Sequence, residues 1–157
     1  MSKILVTGMS GTGKSTALKL LGKHGYHVVD SDADSWSQWI TLPDGTRDWI
    51  WREDAVDKLL ANHVQGSLFV AGCKSNQGKF YRRFDHIALL SAPADVLLAR
   101  IAARTNNPYG KIPRERDLIL HYLKVVEPVL RASATIEIDA TQPIHQVVRR
   151  LEELTLA

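Results

Sequence analysis

The feature that most constrains this chain lies between residues 4 and 21. Ile4-Leu5-Val6 is a short unbroken apolar run, the pattern of a strand buried on both faces. Gly8 ends it. From Ser15 onward Ala17, Leu18, Leu20 and Leu21 give a helix an apolar face, and Gly25 supplies a stop. Between strand and helix stands Gly8-Met9-Ser10-Gly11-Thr12-Gly13-Lys14-Ser15. This is G-x-x-x-x-G-K-[ST] in the strand–loop–helix setting that the motif requires.

The chemistry of such a loop follows from its geometry. Glycines let the backbone curl so that successive N–H groups point inward and form a nest for phosphate oxygens. The helix that starts near Lys14 turns its positive end to the same place. Lys14 reaches the β- and γ-phosphates as a point charge, and Ser15 offers a hydroxyl to Mg²⁺. Gly8, Ser10, Gly11, Thr12, Gly13 and Thr16 complete the expected phosphate contacts. The complete motif with correct flanks distinguishes this loop from a plain glycine-rich turn. The chain is expected to bind a nucleoside triphosphate.

Four further apolar runs read as strands, at 26–29, 67–71, 86–91 and 135–138. Helical patterns fall at 94–104, 114–126 and 143–154. This alternation predicts an α/β fold of three layers, a five-stranded parallel sheet covered by helices on both faces. At 157 residues the chain suits one domain with its own core, spanning 1–157. No apolar run approaches the length of a bilayer span, and Lys3 interrupts too early for a secretory signal. Cys73 is the single cysteine, so no intramolecular disulfide forms and a cytoplasmic location is expected. A net charge of +3 favours anionic ligands but falls short of what nucleic-acid binding calls for.

In such a fold, ligands sit beyond the carboxyl ends of the strands. After the second strand come Asp30, Asp32 and Asp34. One carboxylate suits the Mg²⁺ shell, and another suits accepting a proton from a substrate hydroxyl. The alternative is a solvated acidic turn capping a following helix through Asp34 or Ser35. After the third strand, Gly72 allows close backbone approach to a ligand, and Lys74, Lys79, Arg82 and Arg83 form a basic segment. Arg100 and Arg104 lie four apart on one helix face, and Asn106-Asn107-Pro108-Tyr109-Gly110 is a strong turn signal. Residues 104–116 therefore read either as a short basic lid that closes over the transferring phosphoryl group or as a helix–helix connection with solvated arginines. All four tryptophans fall between 36 and 51. Trp36 and Trp39 are spaced as helix neighbours, and Pro43-Asp44-Gly45 is a turn. These aromatics either stack on an acceptor, with Trp39 and Trp49 foremost, or form a small satellite core.

GMSGTGKS, the D-x-D of VVDSD, the VAG after the third strand and RIAARTNNP before the lid together resemble the small P-loop kinases. This is the group of shikimate kinases, gluconate kinases and nucleoside monophosphate kinases. The resemblance implies an ATP- and Mg²⁺-dependent phosphotransferase acting on a small-molecule acceptor, as a monomer or homodimer. It assigns Asp30 with Ser15 to the metal shell and Asp32 to the acceptor hydroxyl. Arg52 of WIWRED is assigned to acceptor binding and Arg104 to the lid, within an acceptor segment of about 31–62. Two alternatives remain: a P-loop nucleotide-binding regulator without an acceptor, and a nucleic-acid end kinase using Lys74 to Arg83 as a strand groove.

Overall fold

The structure is a computed structural model, and it describes residues 2–105 and 107–156. The strands are β1 (Lys3–Thr7), β2 (His27–Asp30), β3 (Ser37–Thr41), β4 (Arg47–Trp51), β5 (Leu68–Ala71), β6 (His86–Ser91) and β7 (Ile136–Asp139). The helices are α1 (Lys14–Lys23), α2 (Glu53–Asn62), α3 (Ala94–Ala103), α4 (Pro113–Val125), α5 (Glu127–Ser133) and α6 (Ile144–Glu153). A 3-10 helix at Gln77–Arg83 follows β5.

Five strands form one sheet in the order β2-β5-β1-β6-β7. Every pairing in it is parallel, as the alternation of runs predicts. Parallel strands need cover on both faces, and the side chains divide accordingly. Ile4, Val6, Phe69, Ala88 and Leu90 meet Ala17, Leu18 and Leu21 of α1 and Val147, Val148 and Leu151 of α6. Leu5, Val70 and Ile87 point the other way, onto Val56 and Leu60 of α2 and onto Trp51, Phe80 and Phe84. Register then places the functional ends together. Ala71 pairs with Val6 on one side and Asp30 on the other, so the chain leaves β1, β2 and β5 at one edge.

The segment after β2 departs from the helical reading of Trp36 and Trp39. It is an antiparallel hairpin, β3–β4, with Trp39 opposite Trp49 and Ser37 opposite Trp51. Spacing alone misleads here because Trp36 stands outside the strand. Two runs rich in β-branched and aromatic residues flank the Pro43-Asp44-Gly45 turn, and the period that counts is two. Among the described residues, strand β3 rather than a helix follows Asp34 and Ser35, so neither is a cap. Helix α5 was also not expected: α4 ends at Val125, and Glu127-Pro128 restarts the helix with proline in its first turn.

The hairpin sends its tryptophans to different fates. Trp51 is fully buried and packs edge-on against Phe80 with ring centroids 5.6 Å apart. Trp36 packs on the same cluster. Trp39 is 55% exposed, 5.1 Å from the Trp49 ring, and the Arg47 guanidinium lies over it at 4.7 Å. The satellite core is therefore real for Trp51 and Trp36 only. Trp51→Ala is expected to lower stability by about 3–5 kcal/mol. Trp51→Phe is expected to lower it far less, because it also removes an indole N–H that has no partner. Trp39→Ala is expected to change it by about 1 kcal/mol or less. Denaturant unfolding of the three variants checks the order.

Candidate active site

The phosphate loop, the ends of β2 and β5, the start of the lid segment and the β7–α6 loop enclose a cleft of about 680 Å³. The loop takes its shape from Gly13, which caps α1 at φ 92°, a left-handed conformation that side chains disfavour. Thr12 Oγ1 donates to the Met9 carbonyl at 2.9 Å, closing the curl. The Lys14 ammonium donates to the carbonyls of Gly8 and Met9 at 2.6 and 3.0 Å. Burial, reinforced by the charge of Lys74, holds the Lys14 ammonium below its usual range against the opposing pull of Asp32 and Asp30.

Two carboxylates face this loop. Ser15 Oγ donates to Asp30 Oδ2 at 3.5 Å, and the Asp32 N–H donates to Asp30 Oδ1 at 3.1 Å. Between them Ser31 is fully buried, its hydroxyl donating to the Ala71 carbonyl at 2.6 Å. That inward turn of Ser31 leaves its two acidic neighbours facing outward. It also gives Gly72 a reason within the protein: a Cβ there would fall 2.1 Å from Ser31 Oγ and 3.3 Å from Trp51 Nε1. Asp32 in turn accepts from Trp49 Nε1 at 3.1 Å and pairs with Lys74. It thereby joins the hairpin and the β5 loop to the cleft.

Arg100 and Arg104 line the cleft, and main-chain carbonyls hold both. Arg100 donates to Ala140 at 2.5 Å and to Gly11 at 3.4 Å, linking the β7–α6 loop to the phosphate loop. Arg104 donates to Asn107 at 3.2 Å and Tyr109 at 2.7 Å, and burial lowers its pKa from the ordinary arginine value. The expected lid thus holds an internally tied turn before α4 begins at Pro113; Asn106 of that turn signal lies outside the described residues.

Gly8 to Thr16, Asp30, Asp32, Gly72, Arg100 and Arg104 all line one cleft. The structure does not bring Arg52 or Trp39 into its wall. Arg52 donates to the Asp34 carbonyl at 2.8 Å and to Gln38 Oε1 at 3.3 Å, bracing the base of the hairpin. Trp49 touches the cleft through Asp32 alone among the described contacts. The basic segment proves to be largely paired: Lys74 with Asp32, Lys79 with Glu53 at 3.0 Å and Arg83 with Asp57. Residue-level reading missed Ala140, Gln142 and Ile144 as lining residues, since only the sheet topology carries them there. It also left Lys74 as one basic residue among several.

A family model described as an AAA domain matches residues 4–121. A shikimate kinase of Psychrobacter cryohalolentis is 27% identical over 166 residues, covering 98% of this chain and 89% of its own length. A nucleotide-binding protein of Nocardia farcinica is 30% identical over 157 residues, covering 96% of this chain and 48% of its own length. The solved shikimate kinase from Acinetobacter baumannii in complex with shikimate superposes with a TM-score of 0.70 at 18% identity. That superposition covers 99% of this chain and 93% of the other. The match over residues 4–121, on a five-stranded parallel sheet of the same fold, establishes that the chain belongs to the AAA domain family as a P-loop kinase.

Proposed function

We propose that this kinase transfers the γ-phosphoryl group of ATP to a hydroxyl of a small-molecule acceptor bound over Asp32. The observation that carries the reading is the convergence of Asp30 and Asp32 on the phosphate loop, one bonded to Ser15 and the other open to the cleft. Asp32 accepts the acceptor's proton as the acceptor oxygen bonds to phosphorus and the bond to ADP breaks. Lys14 and the loop N–H groups hold the phosphates in line, so positioning and charge neutralisation supply most of the acceleration. Ser15 and Asp30 are hard oxygen donors 3.5 Å apart, which fits Mg²⁺ with several retained waters. Bound there, it would neutralise charge on the β- and γ-phosphates.

Trp49, fixed to Asp32, extends the acceptor side toward the hairpin, and Arg104 stands at the lid. Arg52 and Trp39 belong to the acceptor segment in this reading but stand behind its first contacts. Similarity to a protein named only for nucleotide binding favours a second reading, a regulator without an acceptor. The open Asp32 beside the phosphate loop favours the kinase. ADP release across hydroxylated carboxylic acids, shikimate first, and nucleoside monophosphates decides between them. A rate that rises saturably with one acceptor supports transfer. A rate indifferent to every acceptor supports the regulator.

Two sets of variants test the roles. Lys14→Met is expected to reduce transfer by about 10²–10³-fold or more while the melting temperature holds, because a half-buried charge is removed along with the phosphate contact. Asp32→Asn is expected to cut turnover by about 10²–10⁴-fold with nucleotide affinity close to wild type. Asp30→Asn is expected to move the Mg²⁺ dependence to higher concentration instead. Equal, small effects of the two aspartate changes would make 30–34 a solvated turn.

A further inference from the structure

Lys74 has no part in the mechanism above, yet its placement is specific. It follows β5 by three residues and turns into the cleft that Lys14 lines. Its side chain is 9% exposed, while that of Asp32, its partner, is 68% exposed. The loop that carries it is fixed. The Lys74 N–H donates to Gln77 Oε1 at 2.9 Å, and Gln77 is itself 2% exposed. The Gln77 amide donates to Thr7 Oγ1 at 3.1 Å and to the Tyr81 hydroxyl at 3.0 Å. Thr7 is the last residue of β1, directly before the phosphate loop. The β5 loop is therefore registered against the strand from which the phosphate loop springs.

Two ammonium groups in one cleft repel each other, and a pair with an open carboxylate offsets little of that. Such an arrangement is complementary to a polyanion that meets both. We infer that Lys74 is a catalytic cation of the transfer: its ammonium contacts the γ-phosphoryl group across from Lys14, and its pairing with Asp32 sets that group beside the acceptor hydroxyl. The inference rests on the kinase reading. It also gives the ion pair a course through the reaction. The Lys74 ammonium bridges Asp32 and an oxygen of the γ-phosphoryl group from the nucleotide complex onward, and it keeps that oxygen as the group passes to the acceptor. Lys74 keeps its own proton throughout, so the balance of the transfer is unchanged.

The test compares two probes, MgADP and the Mg²⁺ complex of the imido analogue of ATP, whose β–γ bridge is not cleaved. Calorimetry on wild type, Lys74→Met, Lys74→Arg and Lys14→Met reads their affinities. Lys74→Met is expected to weaken the imido analogue by about 10-fold or more and MgADP by less than about twofold, since a charge-assisted contact to the γ-phosphate is lost. Lys74→Arg is expected to retain most of the difference. Equal loss of both nucleotides, or no loss of either, makes Lys74 a structural residue and overturns the inference. Lys14→Met separates the two levels of the argument. If it leaves both affinities at wild-type values, the phosphate-binding reading itself falls; if it weakens them while Lys74→Met does not, the role of Lys74 alone falls. Should Lys74→Met fail to fold, Lys74→Gln reads the same difference.

Discussion

The site depends first on the backbone between β1 and α1. Gly13 holds a left-handed conformation at the cap of α1, and Gly11 holds a second one, at φ 85°, within the same loop. The rest of the loop is clasped around it by Thr12 on Met9 and by Lys14 on Gly8 and Met9. Arg100 then ties Gly11 to Ala140, joining α3 and the β7–α6 loop to the phosphate loop. Groups that neutralise a transferring phosphoryl act best when they are fixed before charge develops. Here main-chain carbonyls hold Lys14, Arg100 and Arg104, whereas Lys74 is paired with the Asp32 carboxylate.

A second constraint works from beneath Asp30 and Asp32. Ser31 turns inward between two acids, Gly72 leaves it room, and Trp51 closes the space below. These three explain why Asp30 and Asp32 face the cleft without invoking a ligand. The arrangement carries a defect, an indole N–H of Trp51 without a partner. A buried unpaired donor costs stability, and sites that serve function are where proteins tolerate such costs. From Asp32 the hairpin continues outward through Trp49 to Trp39, so packing below and aromatic surface above belong to one antiparallel pair of strands.

How much of this was legible in the sequence follows from the range of each signal. The phosphate loop, the five core strands and helices α1, α3, α4 and α6 are marked by local periodicity and by glycine or proline at their ends. Their observed ends lie within a residue or two of those that the sequence predicts. The hairpin departs from the helical spacing because Trp36 and Trp39 mimic a helical interval while belonging to a turn and a strand. Lys74 was invisible as an individual because its partner lies 42 positions away. Arg52 was assigned by its neighbours in sequence, but its guanidinium is taken by Asp34 and Gln38. Interactions set by tertiary register leave no trace in composition or spacing.

The charges of the cleft tie stability to function. Lys14, Lys74 and Arg104 stand with Asp30 and Asp32 around one space, and burial already works against the Lys14 ammonium and the Arg104 guanidinium. For a lysine with a lowered pKa, the unfolded chain holds the proton more tightly than the native one. Its stability contribution is therefore a penalty at neutral pH, relieved only as pH rises through the native pKa toward the unfolded value of 10.5. Phosphates bring compensating anions to the same groups, and whatever binds the native state alone stabilises it. On the proposed reading, the cations that position a nucleotide are also the groups through which it stabilises the fold, and the two effects share one origin in partly buried positive charge.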